Sequence, residues 1–188
     1  MLGIFDEGQT FGSYSGGSKL NFSNMNKIMQ YVNTGDVCSA GHDTKLNSGA
    51  IGSCVVITAF DSAKNKGAMA YIMLSGIIPP INPMQDTRYA AHAIEELFSQ
   101  MNSFKVIKED LELCIIGGAN VLKRENDCIG NDNLESVERL LLEENIEIKA
   151  RSIAGFERRT VLFDIEKGYV YFTVGDSKQE ILWQSRFE

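Results

Sequence analysis

The chain has 188 residues, 44% of them hydrophobic and 23% charged, a size and balance that can bury a core without disulfides or metal staples. Its net charge of −7 and isoelectric point near 4.9 argue against nucleic-acid binding, which needs a basic footprint. No run approaches the ~20 apolar residues of a membrane span, and the start, MLGIFDEGQTFGSYSGGS, has neither a basic segment nor a long apolar core. A cytoplasmic protein with reduced thiols and no direct membrane insertion is expected.

Residues 1–21 are rich in glycine and serine and read as a flexible leader, with one domain over 22–188. Ser23 is a candidate N-cap for a helix whose apolar face is Met25, Ile28, Met29 and Val32, closed by Asn33-Thr34-Gly35. Residues 36–49 are polar and glycine-punctuated, a loop or irregular strand carrying Cys38 and His42. Strands are expected at 52–60 and 67–74, joined by a hairpin turn at 61–66. All three prolines fall within 77–83, a rigid connection. A helix then runs from Thr87 to Asn102 with the stripe Ala90, Ile94, Leu97, Phe98 and Met101. Leu111–Ile116 is a strand ending in Gly117-Gly118. Asp132 with Glu135 suggests a capping box opening a helix whose core face is Leu134, Val137, Leu140 and Leu141. Strands close the chain near 147–153, 159–165, 168–174 and 181–184, with Gly168 turning a hairpin. The order lacks regular βα alternation, so an α+β fold of largely antiparallel sheet with helices on its faces is expected.

Four cysteines without a CxxC pair, and only two histidines, give no metal-ligand spacing, so neither metal nor cofactor is expected. Cys54 stands apart from Cys38, Cys114 and Cys128. Its glycine neighbours at 49 and 52 allow close backbone approach, and Gly52 and Ser53 leave room beside the sulfur. Either it is a small buried hydrophobe, or it is a nucleophile whose oxyanion neighbouring amides hold. A base within reach would be His42, in the glycine-flanked loop Ala40-Gly41-His42-Asp43, unless that histidine is simply exposed. His92 sits on the glutamate-lined stripe of its helix and reads as solvated.

The blocks SGAIGSC (48–54), GAMAYIMLS (67–75), RYAAHAIEEL (88–97), IIGGANVL (115–122), CIGNDNLESVERLLLEENIEI (128–148) and AGFERRTVLFDIEKGYVYF (154–172) occur in order with consistent gaps. Together they resemble the CheD family of chemotaxis proteins, the chemoreceptor glutamine deamidases, over residues 32–174. The resemblance implies two packed β-sheets flanked by helices and a cysteine hydrolase that converts glutamine side chains on methyl-accepting chemoreceptors to glutamate. A CheC-like phosphatase is implied as a further partner. Cys54 falls on the family's nucleophile and Ser48 on its catalytic threonine. Tyr71 falls on its catalytic histidine, a departure that leaves His42 as the substitute base or leaves none. Gly52, Ser53, Gly117 and Gly118 are the expected substrate contacts. Ala154-Gly155 stands where two glycines are usual, and Ser152 where an acidic residue is. Arg158 or Arg159 matches the family arginine. The alternative is a CheD-like adaptor that binds receptors or the phosphatase without chemistry.

Overall fold

The segment VVITAFD, β4 (Val55–Asp61), is buried at every position, which requires cover on both faces of its sheet. In the computed structural model, which describes residues 27–77 and 86–186, that cover comes from helices on one side and a second sheet on the other. The predicted leader, the Ser23 cap and most of the proline connection lie outside the described residues.

The central sheet has the order β2 (Val37–Ala40), β5 (Lys66–Ile72), β4, β6 (Glu112–Gly117), β7 (Ile148–Ile153). Its pairings are antiparallel except β6 with β7, which flank helix α2 (Ile129–Glu143). The outer sheet is ordered β1 (Ile28–Tyr31), β3 (Thr44–Ile51), β8 (Arg159–Asp164), β9 (Tyr169–Val174), β10 (Glu180–Gln184), with only β1 and β3 parallel. Side chains on a strand alternate faces. Val55, Ile57 and Ala59 accordingly meet α1 (Ala90–Ser103) through Ile94, Leu97 and Met101, and α2 through Leu134, Val137 and Leu141. Val56 and Phe60 point the other way, into a core with Leu46, Val161 and Phe163 of the outer sheet. Phe60 and Phe163 meet edge-on there, with ring centroids 5.7 Å apart. Among the described residues the fold is thus α+β, two largely antiparallel sheets with two α-helices, as expected.

Two local readings are corrected. Residues 28–31, expected to be helical, form β1. The backbone bonds Ile28 N to Asp43 O and Val32 N to Asn47 O, both 2.9 Å, tie this segment to β3. Of its apolar side chains only Val32 is buried, while Ile28 and Met29 are exposed, so a helix here would have had no face to cover. Helix α2 starts at Ile129, before the predicted capping box, and Cys128 caps it without a side-chain hydrogen bond. Gly130, which looks like a breaker, belongs in the first turn because a Cβ there would stand 2.6 Å from Gly118 O.

Candidate active site

Between β3 and β4 the chain crosses from the outer sheet to the central one in three residues, Gly52, Ser53 and Cys54. Backbone on the far side holds that crossover down. Gly118 N donates to Cys54 O at 2.8 Å and Ala119 N to Gly52 O at 2.9 Å. From α2, Asn133 Nδ2 donates to Ser53 O and to Met73 O, each at 3.0 Å. Gly117 has φ +121°, and a Cβ on it would lie 2.2 Å from Cys54 O. The space above Gly118 is filled by Leu134, 2.3 Å from where its Cβ would be. Gly117 and Gly118 therefore floor the crossover from inside, with their backbone packed beneath Cys54.

The Cys54 thiol is half-buried and packs against the inter-sheet core. Burial pushes its pKa up, and its own backbone amide pulls in the other direction without cancelling the rise. Tyr71, opposite Val56 on β5, enters the same core. Its hydroxyl donates to Ala50 O at 2.7 Å. Burial first, and then the neighbouring charge of Cys54, raise its pKa against the opposing Thr34 hydroxyl. Tyr71 is therefore a protonated donor at neutral pH and not a base.

Ser48 sits where β3 shifts register against β8. Its hydroxyl donates to Gly49 O at 2.9 Å and accepts from Val161 N at 3.0 Å, so both capacities serve the irregular strand. The irregularity reaches the thiol indirectly, through the Ala50 carbonyl that Tyr71 binds.

His42 is at the wrong end of the sheets. Ala40 is level with Gly67, which pairs with Phe60, six residues from Cys54; at ~3.3 Å per residue the separation is about 20 Å. The imidazole is exposed and its Nε2 lies 2.8 Å from Asp43 Oδ1. His92 belongs to α1, where its Nδ1 accepts from Asp86 N at 3.3 Å. The expectation that His42 folds over Cys54 is thus corrected by strand register, and the chain has no third histidine.

Of the other thiols, Cys38 is likewise half-buried, its pKa raised by burial and then by the Asp36 charge. Burial pushes Cys114 up to about 12, and Cys128 is raised by Asp132, whose Oδ2 accepts its thiol at 3.0 Å. Among the described residues no cluster of three His, Cys, Asp or Glu side chains could hold a metal. A cleft of about 750 Å³ lies between α1 and α2, lined by Ile94, Phe98 and Leu140, but it is at the opposite end of α2 from Asn133.

Two further residues shape the site, the first of them missed in the sequence. Asn133 is one; its signal was an amide on the stripe Gly130, Leu134, Val137, Leu141. Arg159 is the other. It is nearly buried, and its guanidinium donates to Ser152 Oγ, Ile153 O and Glu157 O at 2.9, 3.0 and 3.2 Å. It thereby shapes the turn after β7, where Ala154 N binds Gly117 O and Gly155 O accepts from Asn120 N. Arg158, by contrast, is an exposed partner of Asp176 at 2.7 Å. Exposed apolar side chains edge these loops: Val121, Leu122, Phe156 and, beyond β5, Met73. Ala154 and Gly155 both have left-handed φ, +57° and +76°. Ala154→Gly should relieve the strain of a Cβ there and stabilise the protein by about 0.5–1 kcal/mol, read as a higher denaturation midpoint.

Comparison with known proteins gives a consistent picture. A family model described as "CheD chemotactic sensory transduction" matches residues 78–173. A protein of Chlorobium luteolum named "Probable chemoreceptor glutamine deamidase CheD" is 39% identical over 150 residues, covering 80% of this chain and 75% of that protein. Proteins of the same name from Clostridium novyi and Clostridium kluyveri are 33% and 30% identical, each over 80% of this chain and 96% of their own length.

Proposed function

The chain belongs to the CheD family, and from that premise we propose that it hydrolyses glutamine side-chain amides on methyl-accepting chemoreceptors through the Cys54 thiolate. The observation that carries this is the placement of Cys54: half-exposed, on a crossover pinned by backbone and Asn133. The thiolate attacks the carboxamide carbon, forming the S–C bond and pushing the carbonyl electrons onto oxygen. The Cys54 amide and its neighbours on the crossover stabilise that oxyanion. Collapse breaks the C–N bond, and the nitrogen leaves as ammonia after taking a proton from solvent. Water then adds to the thioester, breaks the S–C bond and leaves glutamate and the thiol. The apolar edge of Val121, Leu122, Phe156 and Met73 suits a protein substrate, since exposed apolar clusters mark contact surfaces. A cytoplasmic setting follows from such a substrate; no helix among the described residues is long and apolar enough to cross a membrane.

With no imidazole beside it, the thiol must ionise unaided. An unperturbed thiol, with pKa about 8.5, is only a few per cent ionised at pH 7, and here burial raises the value. Alkylation of Cys54 by iodoacetamide should therefore climb about tenfold per pH unit from pH 7 to 8.5, without a plateau. A plateau below pH 7.5 would mean that another group takes the thiol proton.

A second reading follows from the same raised thiol: an adaptor that binds chemoreceptors or a CheC-like phosphatase and performs no hydrolysis. The two separate on one experiment. A chemoreceptor cytoplasmic fragment is incubated with the wild-type chain and with Cys54→Ala, and ammonia release and glutamine-to-glutamate conversion are followed. The deamidase reading expects both products from the wild type and neither from the variant. Binding without conversion by either protein would select the adaptor.

A further inference from the structure

Asn133 is an unusual residue for its place. It faces the central sheet from α2, only 2% exposed, among Leu134, Val137 and Leu141. A buried amide needs partners, and the two that it has are the carbonyls of Ser53 and Met73. Both are acceptors, so the amide nitrogen must face them. One carbonyl precedes the Cys54 amide, and the other follows the strand that carries Tyr71.

The consequence lies in the peptide plane. Across a trans peptide the carbonyl of one residue and the N–H of the next point in opposite directions. No cis peptide occurs among the described residues. Holding the Ser53 carbonyl toward α2 therefore turns the Cys54 N–H away from the helices, toward the inter-sheet core against which the Cys54 side chain packs. The next plane is fixed as well, because Cys54 O accepts from Gly118 N at 2.8 Å. Both peptide groups flanking the Cys54 α-carbon are thus locked, one by a side chain and one by backbone.

We infer that Asn133 is a positioning residue for the nucleophile: by gripping the Ser53 and Met73 carbonyls, it aims the Cys54 amide at the thiolate and at the oxyanion that forms beside it. It touches neither substrate nor sulfur. The catalytic part of this inference rests on the deamidase reading; the effect on the thiolate does not. Preorganised donors are effective because they need no reorientation as charge develops. A crossover of three residues released from α2 has the freedom to rotate that plane.

The test uses Asn133→Asp, which keeps the shape and removes both donors, and Asn133→Ala, which removes the shape as well. Leu141→Ala, on the same helix far from the crossover, serves as a matched destabilised control. Thermal unfolding selects conditions in which every variant is folded; if the aspartate variant does not fold, the alanine variant carries the test. Site-resolved alkylation of Cys54 at pH 7.5 should slow about fivefold or more in the Asn133 variants and stay at the wild-type rate in Leu141→Ala. On a chemoreceptor fragment, kcat should fall about 10–100-fold with KM within twofold. If the wild-type chain releases no ammonia, the deamidase reading fails, while the alkylation result still decides the role of Asn133. Wild-type alkylation rates in both Asn133 variants, or an equal loss in Leu141→Ala, would overturn the inference.

Discussion

Tyr71→His should raise the rate of ammonia release by at least ~10²-fold at pH 7, the lower end of what general acid-base help contributes. Position 71 faces the inter-sheet core opposite Val56 and is near enough to the thiol for the Cys54 charge to act on it. A tyrosine there, its pKa pushed above the usual ~10 by burial, cannot take the thiol proton. An imidazole with a pKa near 6.5 can take it, and can return it to the departing nitrogen. The exchange also forfeits the bond from the Tyr71 hydroxyl to Ala50 O and leaves part of a buried site empty. Stability should therefore fall by about 1–3 kcal/mol. The expected pattern is a less stable and faster protein, whose Cys54 alkylation no longer climbs steadily with pH but levels off near neutrality. A folded Tyr71→His variant with an unchanged rate and pH profile would show that residue 71 is not where the proton is handled.

Gly117→Ala should be the most damaging added methyl among the described glycines. The new Cβ would lie 2.2 Å from the Cys54 carbonyl oxygen and 2.9 Å from Ile51 Cγ2, in a backbone conformation of φ +121° that L side chains rarely adopt. Overpacking typically costs 1–3 kcal/mol, and the forced φ adds about 1–3 more. A loss of about 3–5 kcal/mol is expected, against a total stability of roughly 5–15 kcal/mol for a domain. Activity should fall further than the folded fraction does, because the atom displaced is the carbonyl of the nucleophile itself. Parallel urea unfolding and alkylation measurements would separate the two losses. A Gly117→Ala protein with wild-type stability and thiol reactivity would contradict the close packing beneath Cys54.

The fold was legible wherever burial writes itself into a local pattern. The stripe Ala90, Ile94, Leu97, Phe98, Met101 marked α1, and the apolar run at 52–60 marked the strand β4, whose cover on both faces appears only in the fold. Residues 28–32 misled because apolar spacings of one, three and four fit a helix only if its face is covered, and the cover here goes to Val32 alone. Cys54 was singled out by its glycine and serine neighbours. The supports around it were not, since strand register and sheet order are long-range facts. Nothing in Ala40-Gly41-His42-Asp43 reveals that β3 carries the chain to the opposite end of the sheets before Cys54. Nor does IGNDN reveal that its last asparagine reaches two carbonyls 60 and 80 residues away.

The claim on which the rest depends is that a receptor glutamine becomes covalently attached to Cys54, and hydroxylamine trapping during turnover tests it most directly. The thioester should be diverted to glutamyl hydroxamate on the receptor fragment, at the expense of glutamate and only while Cys54 is present. Undiminished glutamate formation by Cys54→Ala, with no hydroxamate from the wild-type chain, would contradict the thiolate route.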